Sequence, residues 1–149
     1  SLAILRARGI AHATVTAGGD SGILGDRRGR PWVVGIRHPD DPQRVIARIP
    51  LEDAAISTSG DYERYFEEGG VRYHHIINPR TGRSATGVRS ATVIGPEATL
   101  TDGLSTSLFV LGVERGLALV NARDDVDAVI VTDDGRVFYS NGLEPPRQE

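Results

Sequence analysis

Cysteine is absent from the sequence, which removes disulfides, thiolate metal sites and thiol catalysis together and leaves the redox compartment open. Any metal must then sit on oxygen or imidazole. Lysine is absent too: all 17 basic residues are arginines, scattered rather than clustered, a bias of codon usage or lineage more than of function. With a formal net charge of -3 and no basic run, nucleic acid is not an expected partner. Nothing reads as a signal peptide. No uninterrupted apolar segment approaches the length of a bilayer span, so no membrane-spanning segment is expected.

What is present is enough for one domain with a core: 149 residues, 39% of them hydrophobic. The chain opens on Ser1 rather than methionine, and Ser1 to Arg8 reads as helix already in progress, with Gly9 as its left-handed stop. The expectation is a piece of a longer protein, with its compartment undetermined.

Taken in order, 10–17 alternates as a strand and runs into Gly18-Gly19-Asp20-Ser21-Gly22. That turn lets backbone approach a ligand, but it lacks the Walker pattern and a following helix, and a simple tight turn is the local reading. Three strands are expected at 23–25, 32–37 and 45–51, separated by Asp26-Arg27-Arg28-Gly29-Arg30 and His38-Pro39-Asp40-Asp41-Pro42. His12 and His38 receive no role. Residues 54–59 form a strand ending in Thr58-Ser59-Gly60-Asp61-Tyr62. Strands at 62–67 and 71–77 flank Glu68-Gly69-Gly70, a hairpin signal. Within the second, His74 and His75 are adjacent and must point to opposite faces. Asn78-Pro79-Arg80-Thr81-Gly82 is a turn that leaves Arg80 available for a phosphate or carboxylate. A strand at 90–94, helices at 99–112 and 113–121, and a hairpin of 127–132 with 136–140 follow, and 145–149 is a polar end. No repeat or domain boundary is visible. The fold class predicted is α+β, a mostly antiparallel sheet with helices packed on one side.

The stretch 99–112 organises the rest. Leu100, Leu104, Leu108 and Leu111 recur at helical spacing and predict one buried stripe. Asp102 and Thr106, four apart, set a carboxylate beside a hydroxyl on another face. Thr99 and Asp102 fit a capping box, and an acid is favoured in a first turn. The same oxygens suit a hard divalent cation such as Mg2+, held by one or two carboxylates plus substrate phosphates. The two readings are compatible.

Three segments occur in one order: Ala55-Ile56-Ser57-Thr58-Ser59-Gly60-Asp61-Tyr62-Glu63-Arg64, His75-Ile76-Ile77-Asn78-Pro79-Arg80-Thr81-Gly82, and Thr101-Asp102-Gly103-Leu104-Ser105-Thr106. With Gly18-Gly19-Asp20 upstream and Ser140-Asn141-Gly142 near the end, they closely resemble the ApbE family of Mg2+-dependent FAD:protein FMN transferases. The resemblance covers nearly the whole chain. It implies the C-terminal portion of one ApbE-like, T-fold-related domain over 1–149, with the N-terminal half, including a Gly-Gly-Ile-Ala-Lys-Gly segment, absent and a partner to this one.

By that resemblance, FAD is the substrate, and its FMN moiety goes to a Thr or Ser hydroxyl of a target flavoprotein subunit with release of AMP. Asp102 and Thr106 would ligate Mg2+, His75 would take the proton of the attacking hydroxyl, and His74 would face away. Thr58, Ser59, Gly60 and Tyr62 would line the flavin or target-peptide side, or serve as strand-end turn chemistry; Gly18, Gly19 and Asp20 would lie near the cofactor. Asn78 stands where many members have Asp, and Thr101 where most have Ala. Family members are often exported and membrane-anchored. An inactive FAD-binding relative and a Mg2+-dependent hydrolase giving FMN and AMP are the competing readings.

Overall fold

The computed structural model describes residues 2–143. Helix α1 (Leu2–Ala7) leads into strands β1 (Ala13–Ala17), β2 (Asp20–Leu24), β3 (Trp32–His38) and β4 (Asp41–Leu51). Strand β5 (Ala55–Gly60) precedes the short strands β6 (Tyr65–Glu68), β7 (Val71–His74), β8 (Ile77–Asn78) and β9 (Arg83–Ser84). Strand β10 (Val88–Gly95), helix α2 (Ala98–Asn121), β11 (Asp127–Thr132) and β12 (Val137–Tyr139) complete the described chain. The polar end expected at 145–149 lies outside the described residues.

Six strands form one antiparallel sheet in the order β1-β2-β5-β10-β11-β12. Period-two alternation sends Ala91, Val93, Ala128 and Ile130 to one face, where they meet Leu108, Phe109 and Val120 of α2. Complete burial of Leu108 and Phe109 stabilises this layer by roughly 1.5–3 kcal/mol each. The other face carries Ile23, Ile56, Ile94 and Val129, covered by Ile36, Ala47 and Leu51 of the β3–β4 ribbon. Leu2 of α1 lies over Gly22, where a Cβ would come within 2.8 Å of it. The α+β architecture with helices on one side is therefore what forms, and a β-ribbon closes the second side.

Element ends have local causes. The first helix closes as a Schellman motif: Gly9 (φ 78) donates to Arg6 and Ile10 to Leu5, so Ile10 caps the helix and β1 starts only at Ala13. Gly18 (φ 64) and Gly19 (φ 100) make the two-residue β1–β2 turn, and Gly69 (φ 59) and Gly70 (φ 77) make that of β6–β7. Gly112 (φ 77, ψ 179) kinks α2, which separates the two expected helical stretches while keeping them one element.

Two expectations about α2 are corrected. Its fully buried side in the first turns is Thr101 and Ser105, not the leucine stripe; Leu100 and Leu104 are half-buried at the core margin. The reason is the facing strand, whose Ser57 and Ser59 need hydroxyl partners. Second, α2 is long and apolar enough, by length and composition, to cross a membrane. In this fold it packs along β5, β10 and β11.

Candidate active site

The site grows from the register of β5 against α2. Alternation along β5 turns Ser57 and Ser59 toward the helix and Ile56 and Thr58 away from it. Ser57 Oγ lies 2.8 Å from Thr101 Oγ1, and Ser59 Oγ lies 2.9 Å from both Ser105 Oγ and Thr106 Oγ1. Counting protons orients these bonds, since each hydroxyl has one to give. Ser105 donates to the Asp102 carbonyl at 2.9 Å, so it accepts from Ser59. Ser59 has then used its proton, and Thr106 must donate to Ser59. The consequence is that the Thr106 oxygen keeps its lone pairs free among the described residues.

Asp102 is exposed and sits one turn before Thr106. The capping reading of this acid does not hold. The N-cap is Glu97, in extended geometry with no side-chain cap bond, and the first turn of α2 contains no acid. Nothing in the helix start requires a carboxylate at 102.

The remaining residues singled out by the sequence are divided by the sheet. Thr58 lies on the face opposite Ser59, with its hydroxyl 2.8 Å from that of Thr92. The ring of Tyr62 folds back over Gly60, where a Cβ would come within 2.5 Å of it, and burial pushes the Tyr62 phenol above the usual tyrosine range. This fold-back is why the strand expected from Tyr62 begins at Tyr65. Gly18 and Gly19 form the tip of the β1–β2 hairpin, with open space at both Cβ positions. Pairing of Ser21 with Ile56, and of Ser90 with Gly60, sets that tip, the end of β5 and the start of β10 at one end of the sheet.

His74 and His75 separate as adjacent strand residues must. His74 is buried; its Nε2 contacts the Ala85 carbonyl at 2.8 Å, its Nδ1 accepts from Ile76 N–H at 3.3 Å, and its ring meets Phe109 edge-on at 5.4 Å. His75 is exposed, with Nδ1 3.4 Å from the Arg64 carbonyl. It opens onto a cleft of about 820 Å³ lined also by Arg64, Tyr65, Phe66, Tyr73, Ile77 and Arg83. Neither Asp102 nor Thr106 lines that cleft, and no hydrogen bond joins His75 to them. The link is through α2, because Phe109, which carries His74, lies one turn beyond Thr106. Asn78 is engaged locally: its Oδ1 accepts from Arg80 N–H at 3.0 Å, and its carbonyl from Thr81 and Gly82.

Comparison with known proteins matches the chain to a family. The ApbE family profile covers residues 1–130. The chain belongs to the ApbE family. It is 44% identical over 136 residues to the FAD:protein FMN transferase of Rhodobacter capsulatus, covering 90% of this chain and 26% of that protein. With the FAD:protein FMN transferase of Vibrio cholerae the identity is 42% over 147 residues, covering 95% and 44%. The crystal structure of the ApbE protein of Thermotoga maritima superposes with a TM-score of 0.82 at 42% identity, over 95% of this chain and 48% of that one. The chain thus spans between a quarter and a half of the length of these relatives.

Within this ApbE chain, the donor chemistry of Asp102 and Thr106 fits a hard cation: one carboxylate, and one hydroxyl oxygen whose lone pairs are left free among the described residues. No group of three or more His, Asp and Glu that could cage an ion occurs among the described residues. Sequence reasoning missed the network behind the site. Asp61 is buried, accepts from Arg89 at 2.7 and 2.9 Å and from Arg72 at 3.5 Å, and Arg89 continues to Asp40. Burial pushes the Asp61 carboxyl up, and the hydrogen bonds from Arg89 oppose it. It also missed the Ser57 and Ser105 hydroxyls, although Thr101 and Ser105, four apart, opposite Ser57 and Ser59, two apart, were a readable signal.

Proposed function

We propose that the polypeptide carrying this chain transfers the FMN moiety of FAD to a Thr or Ser hydroxyl of a target flavoprotein, releasing AMP, with Mg2+ as the metal. The observation that carries this reading is the Thr106–Ser59–Ser105 chain, which frees the Thr106 oxygen beside a carboxylate that helix capping does not use. Asp102 and Thr106 would hold the ion. Once bound, it supplies Lewis-acid stabilisation of charge on the diphosphate.

The chain's own residues then have separable tasks. His75 accepts the proton of the acceptor hydroxyl as its oxygen bonds to the FMN-side phosphorus; the bond from that phosphorus to the bridging oxygen breaks, and that oxygen leaves on AMP. Ser59 holds Thr106 in place and is itself held by Ser105. His74 fixes the ribbon that bears His75 by packing on Phe109. Gly18, Gly19, Asp20, Gly60 and Tyr62, gathered toward one end of the sheet, are assigned to the cofactor side, and Thr58 supports them from the opposite face.

The native polypeptide is incubated with FAD, MgCl2 and a peptide bearing one threonine, and followed by intact mass. A gain equal to FMN on the peptide with stoichiometric AMP supports transfer. FMN and AMP without a modified peptide would assign hydrolysis instead, and no FAD turnover would leave an FAD-binding role. Asp102→Ala should abolish the Mg2+-dependent turnover while leaving the melting temperature unchanged, because the acid caps nothing.

A further inference from the structure

The β6–β7 ribbon leaves one face uncovered among the described residues. Its register pairs Phe66 with Tyr73 and Glu68 with Val71, and alternation puts these four side chains on one face. The next rung is Arg64 and His75, joined by the His75 N–H to the Arg64 carbonyl at 3.3 Å, so His75 falls on the same face. The reverse face carries Tyr65, Arg72 and His74 and is turned toward Phe109 of α2. The outward face is apolar: Phe66 is 61% exposed, Val71 52% and Tyr73 40%, and the two rings stack at 5.1 Å and 13°. Ile77, 48% exposed, extends it beyond His75. A contiguous exposed aromatic strip of this kind marks an interaction surface rather than a scattered solvent residue.

Charge sorts along the strip. Arg64 and Arg83 line the cleft at its His75 end and, among the described residues, no acidic one does, while Glu68 stands at the turn end. The hydroxyl that gives its proton to His75 has to arrive over this face. We infer that the face is the docking platform for the acceptor segment of the target protein. That segment lies extended along the ribbon, with small apolar side chains over Phe66 and Tyr73, the acceptor hydroxyl at His75, and a neighbouring carboxylate held by Arg64 and Arg83. The inference rests on the transferase reading.

The test measures, without FAD, the anisotropy of a fluorescein-labelled synthetic peptide containing one threonine, an aspartate two residues away and alanine or glycine flanks. Phe66→Ala with Tyr73→Ala should weaken binding about tenfold or more, the scale expected for aromatic anchors at an interface. Arg64→Glu with Arg83→Glu should do the same, and a peptide with arginine in place of the aspartate should recover binding to that variant. FAD affinity, read by flavin fluorescence, and melting temperature should stay at wild-type values. Unchanged peptide affinity in both variants would overturn the platform. Loss of FAD affinity in the aromatic variant would overturn it too, assigning the strip to the flavin, and so would protection of Phe66 and Tyr73 by another part of the native polypeptide. Failure of the reaction reads differently: a wild type that holds the peptide through these four side chains yet never transfers FMN removes the transferase reading and leaves the peptide site standing.

Discussion

Thr101 is fully buried, and its hydroxyl is a relay: it accepts from Ser57 at 2.8 Å and donates to the Ala98 carbonyl at 3.1 Å. Thr101→Val keeps the shape, the β-branch and nearly the helix propensity, so packing hardly changes. It leaves the Ser57 hydroxyl, itself 1% exposed, with no partner. An unsatisfied buried hydroxyl costs about 1–3 kcal/mol. At this chain length roughly 2 kcal/mol lowers the melting temperature by about 4–8 °C. Ser57→Ala is milder, about 0.5–1.5 kcal/mol, because Thr101 still donates to Ala98. The double variant, which removes both polar groups, should be more stable than Thr101→Val alone, with a coupling energy of about 1 kcal/mol or more. Urea or thermal unfolding of the four proteins reads this directly. A Thr101→Val protein as stable as wild type, or a double variant showing the plain sum of the two losses, would refute the relay.

Three further outcomes follow from the same geometry. His74→Ala should lower stability on the order of 2–4 kcal/mol, through loss of the Phe109 contact and of the partners of Ala85 and Ile76, whereas the exposed His75→Ala should melt near wild type and lose transfer; paired melting curves and peptide mass gain check both. Ser59→Ala removes the acceptor of the Thr106 proton, and Mg2+ affinity by calorimetry should fall about 10–100-fold with Asp102 untouched. Burial raises the Tyr62 and Tyr139 phenols, so the native state holds those protons more tightly than the unfolded one. Their contribution is fully present below the ordinary tyrosine range and is lost as pH rises through the raised values. Tyrosinate absorbance should accordingly show a late step that unfolding in urea abolishes and Tyr62→Phe reduces.

Legibility of this chain depended on whether a position answered to its own neighbours or to a distant strand. The strand 127–132, the turn at Gly69-Gly70 and the break at Gly112 are local decisions, written in alternation and in glycines that take positive φ, and the sequence shows them. The opposite faces of His74 and His75 are equally local, since adjacent strand residues cannot share a face. The burial of Thr101 and Ser105 in place of a leucine stripe is not local, because it is Ser57 and Ser59, more than forty residues earlier, that make hydroxyls the better neighbours. The same holds for Asp61, which as a sequence letter is a turn acid and in the fold is the buried anchor of Arg89 and Arg72. Both surprises lie along the second half of β5 and just past its end, where three of the motif segments converge. A sheet end that accepts polar burial there, against the usual preference for apolar packing, holds Thr106 and the His75 ribbon in fixed positions from behind, and fixed positions are what the proposed FMN transfer would need most.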